Sequence, residues 1–205
     1  MKKLSLIASL IIGATAVPAF ASPTVQPSPD SARERQELQR LTACIAESRP
    51  RWARHTLSLP YLSEAQASAA SQALSGKDSC VPRTGAEITF RTSSMVGSLA
   101  DHYLRSALGN VDLTRVKAVL AAMAPLNVTE DFALCVASRN PAAARELVLS
   151  VPGSAAEAQA IAVFERAIEP CTVPGEDLTV DVQALRALIS TALYRGVTAV
   201  RTASN

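Results

Sequence analysis

Cys135-Val-Ala-Ser-Arg-Asn-Pro141 opens a stretch that occurs twice in this 205-residue chain. It continues through Leu149-Ser-Val-Pro152, Glu157-Ala-Gln159-Ala160, Cys171 and Leu178-Thr-Val180 to Leu193-Tyr-Arg195. The other copy reads Cys44-Ile-Ala-Glu-Ser-Arg-Pro50, Leu57-Ser-Leu-Pro60, Glu64-Ala-Gln66-Ala67, Cys80, Ile88-Thr-Phe90 and Tyr103-Leu-Arg105. The cysteines stand 36 positions apart in each copy, and the copies are offset by 91. That period is too long for the common helical solenoids and predicts a duplicated helical unit. Each unit is small enough for its own core to be marginal, so packing the two together enlarges the buried interior.

Helix signals agree with this. Ser31-Ala-Arg-Glu34 has the form of a capping box, and Leu38, Leu41, Cys44 and Ile45 follow on one helical stripe. Pro50 and Pro141 each suit the first turn of a short helix. Ser63 and Ser154 stand where they cap the next one, the latter with Glu157 in a second capping box, and Thr129 does so for the helix that carries Cys135. Met95, Val96, Leu99, His102 and Tyr103 form a stripe in the first unit; Leu185, Leu188, Ile189, Ala192 and Leu193 form one in the second. Gly196 reads as the end of the last helix. The expected fold is all-α: two tandem homologous units of about four helices, each with one internal disulfide.

The first 21 residues read as a secretory signal peptide: Lys2 and Lys3, the uncharged run Leu4 to Val17, then Ala19-Phe20-Ala21 before the cut. The run is too short to span a bilayer. Residues 22–29 form a Pro-rich mobile lead, 30–110 the first unit, 111–128 a connecting helix and linker, 129–196 the second unit and 197–205 a mobile tail. The signal places the protein in the periplasm or outside the cell, with no transmembrane span once it is cleaved. Lysines and arginines number 20 against 18 acidic residues, and loss of Lys2 and Lys3 brings the balance to zero. Nucleic acid is therefore excluded as a natural partner.

Four cysteines allow three pairings. Duplication selects Cys44 with Cys80 and Cys135 with Cys171, in a compartment where disulfides persist. Closing each loop contributes roughly 4 kcal/mol through chain entropy. No Cys-x-x-Cys pair exists, and neither histidine has a His or Glu at ligand spacing, so no metal or cofactor is expected.

His102 lies on an apolar stripe next to Asp101. One reading is a general base beside a carboxylate, as in a small hydrolase; the other is a packed histidine, since adjacent helical residues do not face each other. Arg105 and Arg195 recur at matching places, as do Tyr103 and Tyr194 within one position, which leaves open a small-anion or lipid site between the units. The motifs of phosphate loops, nucleophile elbows and zinc proteases are missing. An envelope protein partner, met by a rigid scaffold, is the leading expectation.

The unit from Cys135 to Arg195 resembles one in uncharacterised secreted alphaproteobacterial proteins: a Cys, an Arg-rich segment with Asn/Arg-Pro, a small-residue helix, a second Cys, and a helix closing near Leu-Tyr-Arg. The resemblance covers 44–105 and 135–195 and implies an envelope location and helical repeats; it implies no activity. The first copy departs at His102 and Tyr103, where the second has Ala192 and Leu193.

Overall fold

The computed structural model describes residues 24–27, 31–74, 80, 90–172 and 178–204. Residues 1–21, read above as a signal peptide, lie outside them. Among the described residues the chain forms nine α-helices: α1 Ala32–Ser48, α2 Pro50–Ser58, α3 Glu64–Leu74, α4 Thr92–Ala107, α5 Leu113–Ala122, α6 Val128–Arg139, α7 Pro141–Leu149, α8 Ala155–Ile168 and α9 Val182–Thr202. The protein is thus all-α apart from one short parallel pair, β1 Thr24–Gln26 and β2 Thr179–Asp181. No described helix is long and apolar enough to cross a membrane.

Helix α4 is the axis of the molecule. Every residue from Ser94 to Asp101 is buried, so α4 has no solvent face along two turns. Small residues make this possible. A Cβ on Gly97 would lie 2.4 Å from the Ala187 Cα, so α4 and α9 cross nearly backbone to backbone. Around this crossing α1 packs on α4, while α5 and α6 pack on α9. A single apolar core runs through both halves of the chain, from Ile45, Met95 and Leu99 to Leu147, Phe164, Ile189 and Leu193. Two disulfides fasten its periphery, Cys44–Cys80 and Cys135–Cys171, as the spacing predicts.

Helix starts follow the capping chemistry in most places. Ser31 Oγ accepts from the Glu34 amide (3.2 Å), and the Glu34 carboxylate accepts from the Ser31 amide (2.6 Å), a full capping box. Those two bonds, the backbone one first, hold the exposed Glu34 carboxyl below its ordinary pKa. Helix α6 starts two residues earlier than Thr129 implies: Asn127 is its N-cap, its Oδ1 2.9 Å from the Glu130 amide. Ser154 caps α8 through the Glu157 amide (3.2 Å), but the Glu157 carboxylate turns inward and does not close the box.

Three expectations change. The lead is not loose throughout, because Thr24 to Gln26 pair in parallel register with Thr179 to Asp181. The last helix does not stop at Gly196: α9 continues to Thr202, and Val197 and Val200 are buried. The glycine is there for proximity, since a Cβ would stand 2.8 Å from Leu120 Cδ2 on α5. The third concerns register. Glu64-Ala-Gln66 and Glu157-Ala-Gln159 are 93 apart, whereas α2 and α7 have bounds offset by 91 at both ends. By position and hydrogen bonding, Gln66 stands where Glu157 stands. Leu62 Nα–H donates to Gln66 Oε1 (3.0 Å) and Gly153 Nα–H to Glu157 Oε2 (2.7 Å).

Candidate functional site

The densest polar chemistry lies inside, at the crossing of α1, α4, α8 and α9. Arg186 enters from α9 on the stripe Val182, Arg186, Ile189, Leu193. All five of its N–H donors are used. Nε donates to Asp101 Oδ2 (2.8 Å), Nη1 to Glu157 Oε1 (3.0 Å) and Ser150 Oγ (3.2 Å), and Nη2 to the carbonyls of Val148 (3.1 Å) and Ser150 (3.0 Å). Arg35 of α1 adds a second guanidinium, its Nη1 3.0 Å from both Glu157 oxygens. Asp101 also accepts from Gln39 Nε2 (3.0 Å) and from Ser190 Oγ. The four ionic side chains balance two positive charges against two negative ones, and all are buried. Burial alone would lower the Arg186 pKa; Asp101 and then Glu157 outweigh it, and the guanidinium is held above its ordinary value.

This cluster decides what Asp101 can do. Its oxygens accept from three internal donors, its charge is paired with Arg186, and the side chain is buried. The described hydrogen bonds include none between Asp101 and His102. The imidazole is half-buried and meets the Tyr103 ring edge-on at 5.3 Å. The two residues are neighbours in sequence but serve different surroundings.

Arg105 and Arg195 also have internal partners. Arg105 donates to the carbonyls of Leu149 (3.1 Å) and Ser150 (3.0 Å), where it covers the open end of α7. Arg195 pairs with the buried Glu130. The same carboxylate accepts from the Leu126 amide at 2.6 Å. Burial lowers the pKa of both arginines; at Arg105 Asp101 opposes this and Arg186 adds to it. Between them the rings of Tyr103 and Tyr194 lie 6.1 Å apart. The two tyrosine rings are neighbours, while the arginines bond to separate partners, Arg105 to the carbonyls of Leu149 and Ser150 and Arg195 to Glu130.

The open site is elsewhere. A cleft of about 640 Å³ lies between α5, α6 and α8, with Leu120, Leu134 and Ala167 as its buried floor. Lys117, Arg139 and Arg166 stand exposed around it with one carboxylate, Asp131. None of the three cations is in an ion pair with a described residue. Sequence reasoning misses this cleft because its cations are scattered over three helices. It also misses Arg186, although the signal is present: a lone arginine inside an apolar stripe needs buried partners. Comparison of the chain with known protein families, with curated proteins and with solved structures returns no match.

Proposed function

We propose that this protein is exported, built from two tandem helical units, and acts by binding a protein partner in the cell envelope or outside the cell. The observation that carries the reading is the distribution of charge. Inside, Asp101 and Glu157 are hydrogen-bonded and charge-balanced by Arg186 and Arg35, whereas the surface keeps a cleft whose Lys117, Arg139 and Arg166 make no ion pair with a described residue. Pairing of all four cysteines supports an oxidising compartment. Duplication is supported by recurrences at one offset. Helices α2 and α7 have the same length, both disulfides close 36 positions, and the positive backbone angles fall at Leu62 (φ 62°) and Gly153 (φ 81°), 91 apart.

Two measurements test it. Intact mass of protein recovered from a secreting host should begin at Ser22 and gain four alkyl groups only after reduction. Cross-linking in that host should give a reproducible adduct with one envelope protein. A chain retained in the cytoplasm with its leader attached would sink the export half. A cross-linked sample that stays monomeric in repeated trials would sink the binding half.

A further inference from the structure

We infer that the cleft between α5, α6 and α8 is the docking groove for an acidic amphipathic helix of a partner protein. The inference rests on the binding function proposed above and gives it a location and a ligand class. Three observations converge. The cations are the first. Arg139 and Arg166 lie in the last turns of α6 and α8, where they also suit the helix dipoles, but Lys117 lies in the body of α5 and has no such reason. Second, Asn140 begins α7 without using its side chain as a cap, whereas Ser31, Asp112, Asn127, Ser154 and Asp181 all cap with theirs. Its amide, half-buried at the cleft, keeps a donor and an acceptor for a ligand. The third is shape. The floor is apolar, with the adaptable Met123 at one side, and the cleft is partly open to solvent. Such a groove receives a helix lying side-on, with apolar anchors at i, i+3, i+4 and i+7. An acyl chain would need an enclosed apolar tunnel, and Ser138, Asn140 and Asp131 break the apolar lining. The fitting helix carries carboxylates on both flanks of its apolar stripe and one basic or amide group toward Asp131.

The test uses the full oxidised protein and a fluorescein-labelled peptide of about 14 residues, with Leu at the four anchor spacings and Glu elsewhere. Saturable binding on the order of 10 µM is expected by anisotropy, weakening severalfold between about 50 and 300 mM salt as screening shortens. The variant K117E/R139E/R166E should weaken binding at least about tenfold. R115E, on the same helix but bonded to Ser204 away from the cleft, should stay within about twofold. If the triple variant loses its helical circular dichroism, Lys117→Glu alone, at an exposed position, should still cost about threefold. Equal affinity of the reversed variants overturns the inference, as does tighter binding of the Lys/Leu counterpart peptide. So does binding of phosphatidylglycerol vesicles with no binding of the peptide. A natural partner cross-linked equally well by the triple variant would leave the binding function standing and remove this groove from it. Peptide binding without any natural partner would do the reverse.

Discussion

In the turn before α3, one neutral side chain makes three of the turn's bonds, beside Ser63, which caps α3, and Asn127, which donates to the Tyr61 carbonyl. Gln66 accepts the Leu62 amide on Oε1 (3.0 Å) and donates Nε2 to the carbonyls of Thr56 and Leu59 (3.2 Å each). In the turn before α8, Glu157 accepts the Gly153 amide (2.7 Å) but has nothing to donate. The carbonyls at the end of α7, Val148 and Ser150, take their hydrogens from Arg186 instead. The difference is one of reach. A carboxamide carries donor and acceptor together, so its bonds close within ten residues. A carboxylate must recruit donors, and here they come from 29 and 122 positions away. Exchanging amide for acid turns a local turn into a tie between α1, α4, α8 and α9. The cost is desolvation of four charges, so the cluster contributes more to which helices meet than to net stability.

The largest expected effect comes from removing the hub. Arg186→Met takes the counter-charge from buried Asp101, leaves Glu157 with Arg35 alone and removes the side-chain donor of the Val148 carbonyl, and should cost about 3–5 kcal/mol in urea unfolding. A loss under about 1 kcal/mol would mean that the charged tie is dispensable. Next, Gln66→Glu copies the second turn into the first without supplying an arginine. It removes both donors from Thr56 and Leu59 and should cost about 2–3 kcal/mol. Neutrality there would show that the turns are interchangeable and the comparison empty.

The backbone beneath the two turns gives a sharper, smaller contrast. Both hold a residue at positive φ, yet Leu62 is 52% exposed while a Cβ on Gly153 would stand 2.3 Å from the Ala32 Cβ. Gly153→Ala should therefore cost about 1–3 kcal/mol by overpacking. Leu62→Gly should stay within about 1 kcal/mol, relief of the left-handed strain offsetting lost chain stiffness. Thermal midpoints of the pair check this. The smallest effect is structural. Arg35 Nε and Gln183 Oε1 have no protein partner, and both residues line an interior space of about 10 Å³, the size of one water. High-resolution density should show one water bonded to both. Density without it would leave the charged side with two unmet groups against one, Thr56 Oγ1, beside the neutral turn.

What the sequence makes legible are interactions that stay close or recur. Pro50 and Pro141 start helices where expected, the Ser31 box forms, and recurrence picks the disulfide pairs correctly. What it hides depends on distant partners. Asp101 draws attention through His102 beside it, but its true partner is Arg186, 85 positions later. Gly196 reads as a stop because helix ends and close helix contacts both favour glycine, and only Leu120 distinguishes them. The Glu64/Glu157 match is chemically appealing yet two positions off the 91-residue offset of α2 and α7, and the bond from the turn amide shows Gln66 before α3 in the position that Glu157 takes before α8.

Strand β1 bears on the order of assembly. A chain is synthesised from its amino end, so Thr24 to Gln26 are made about 155 residues before their partners Thr179 to Asp181. For that whole interval the strand lacks its native partner, and closing so long a loop carries an entropic cost. It should form last, after α9 has docked. Pro23 and Pro27, which lack amide hydrogens, flank this strand and limit its pairing with wrong chains while it waits.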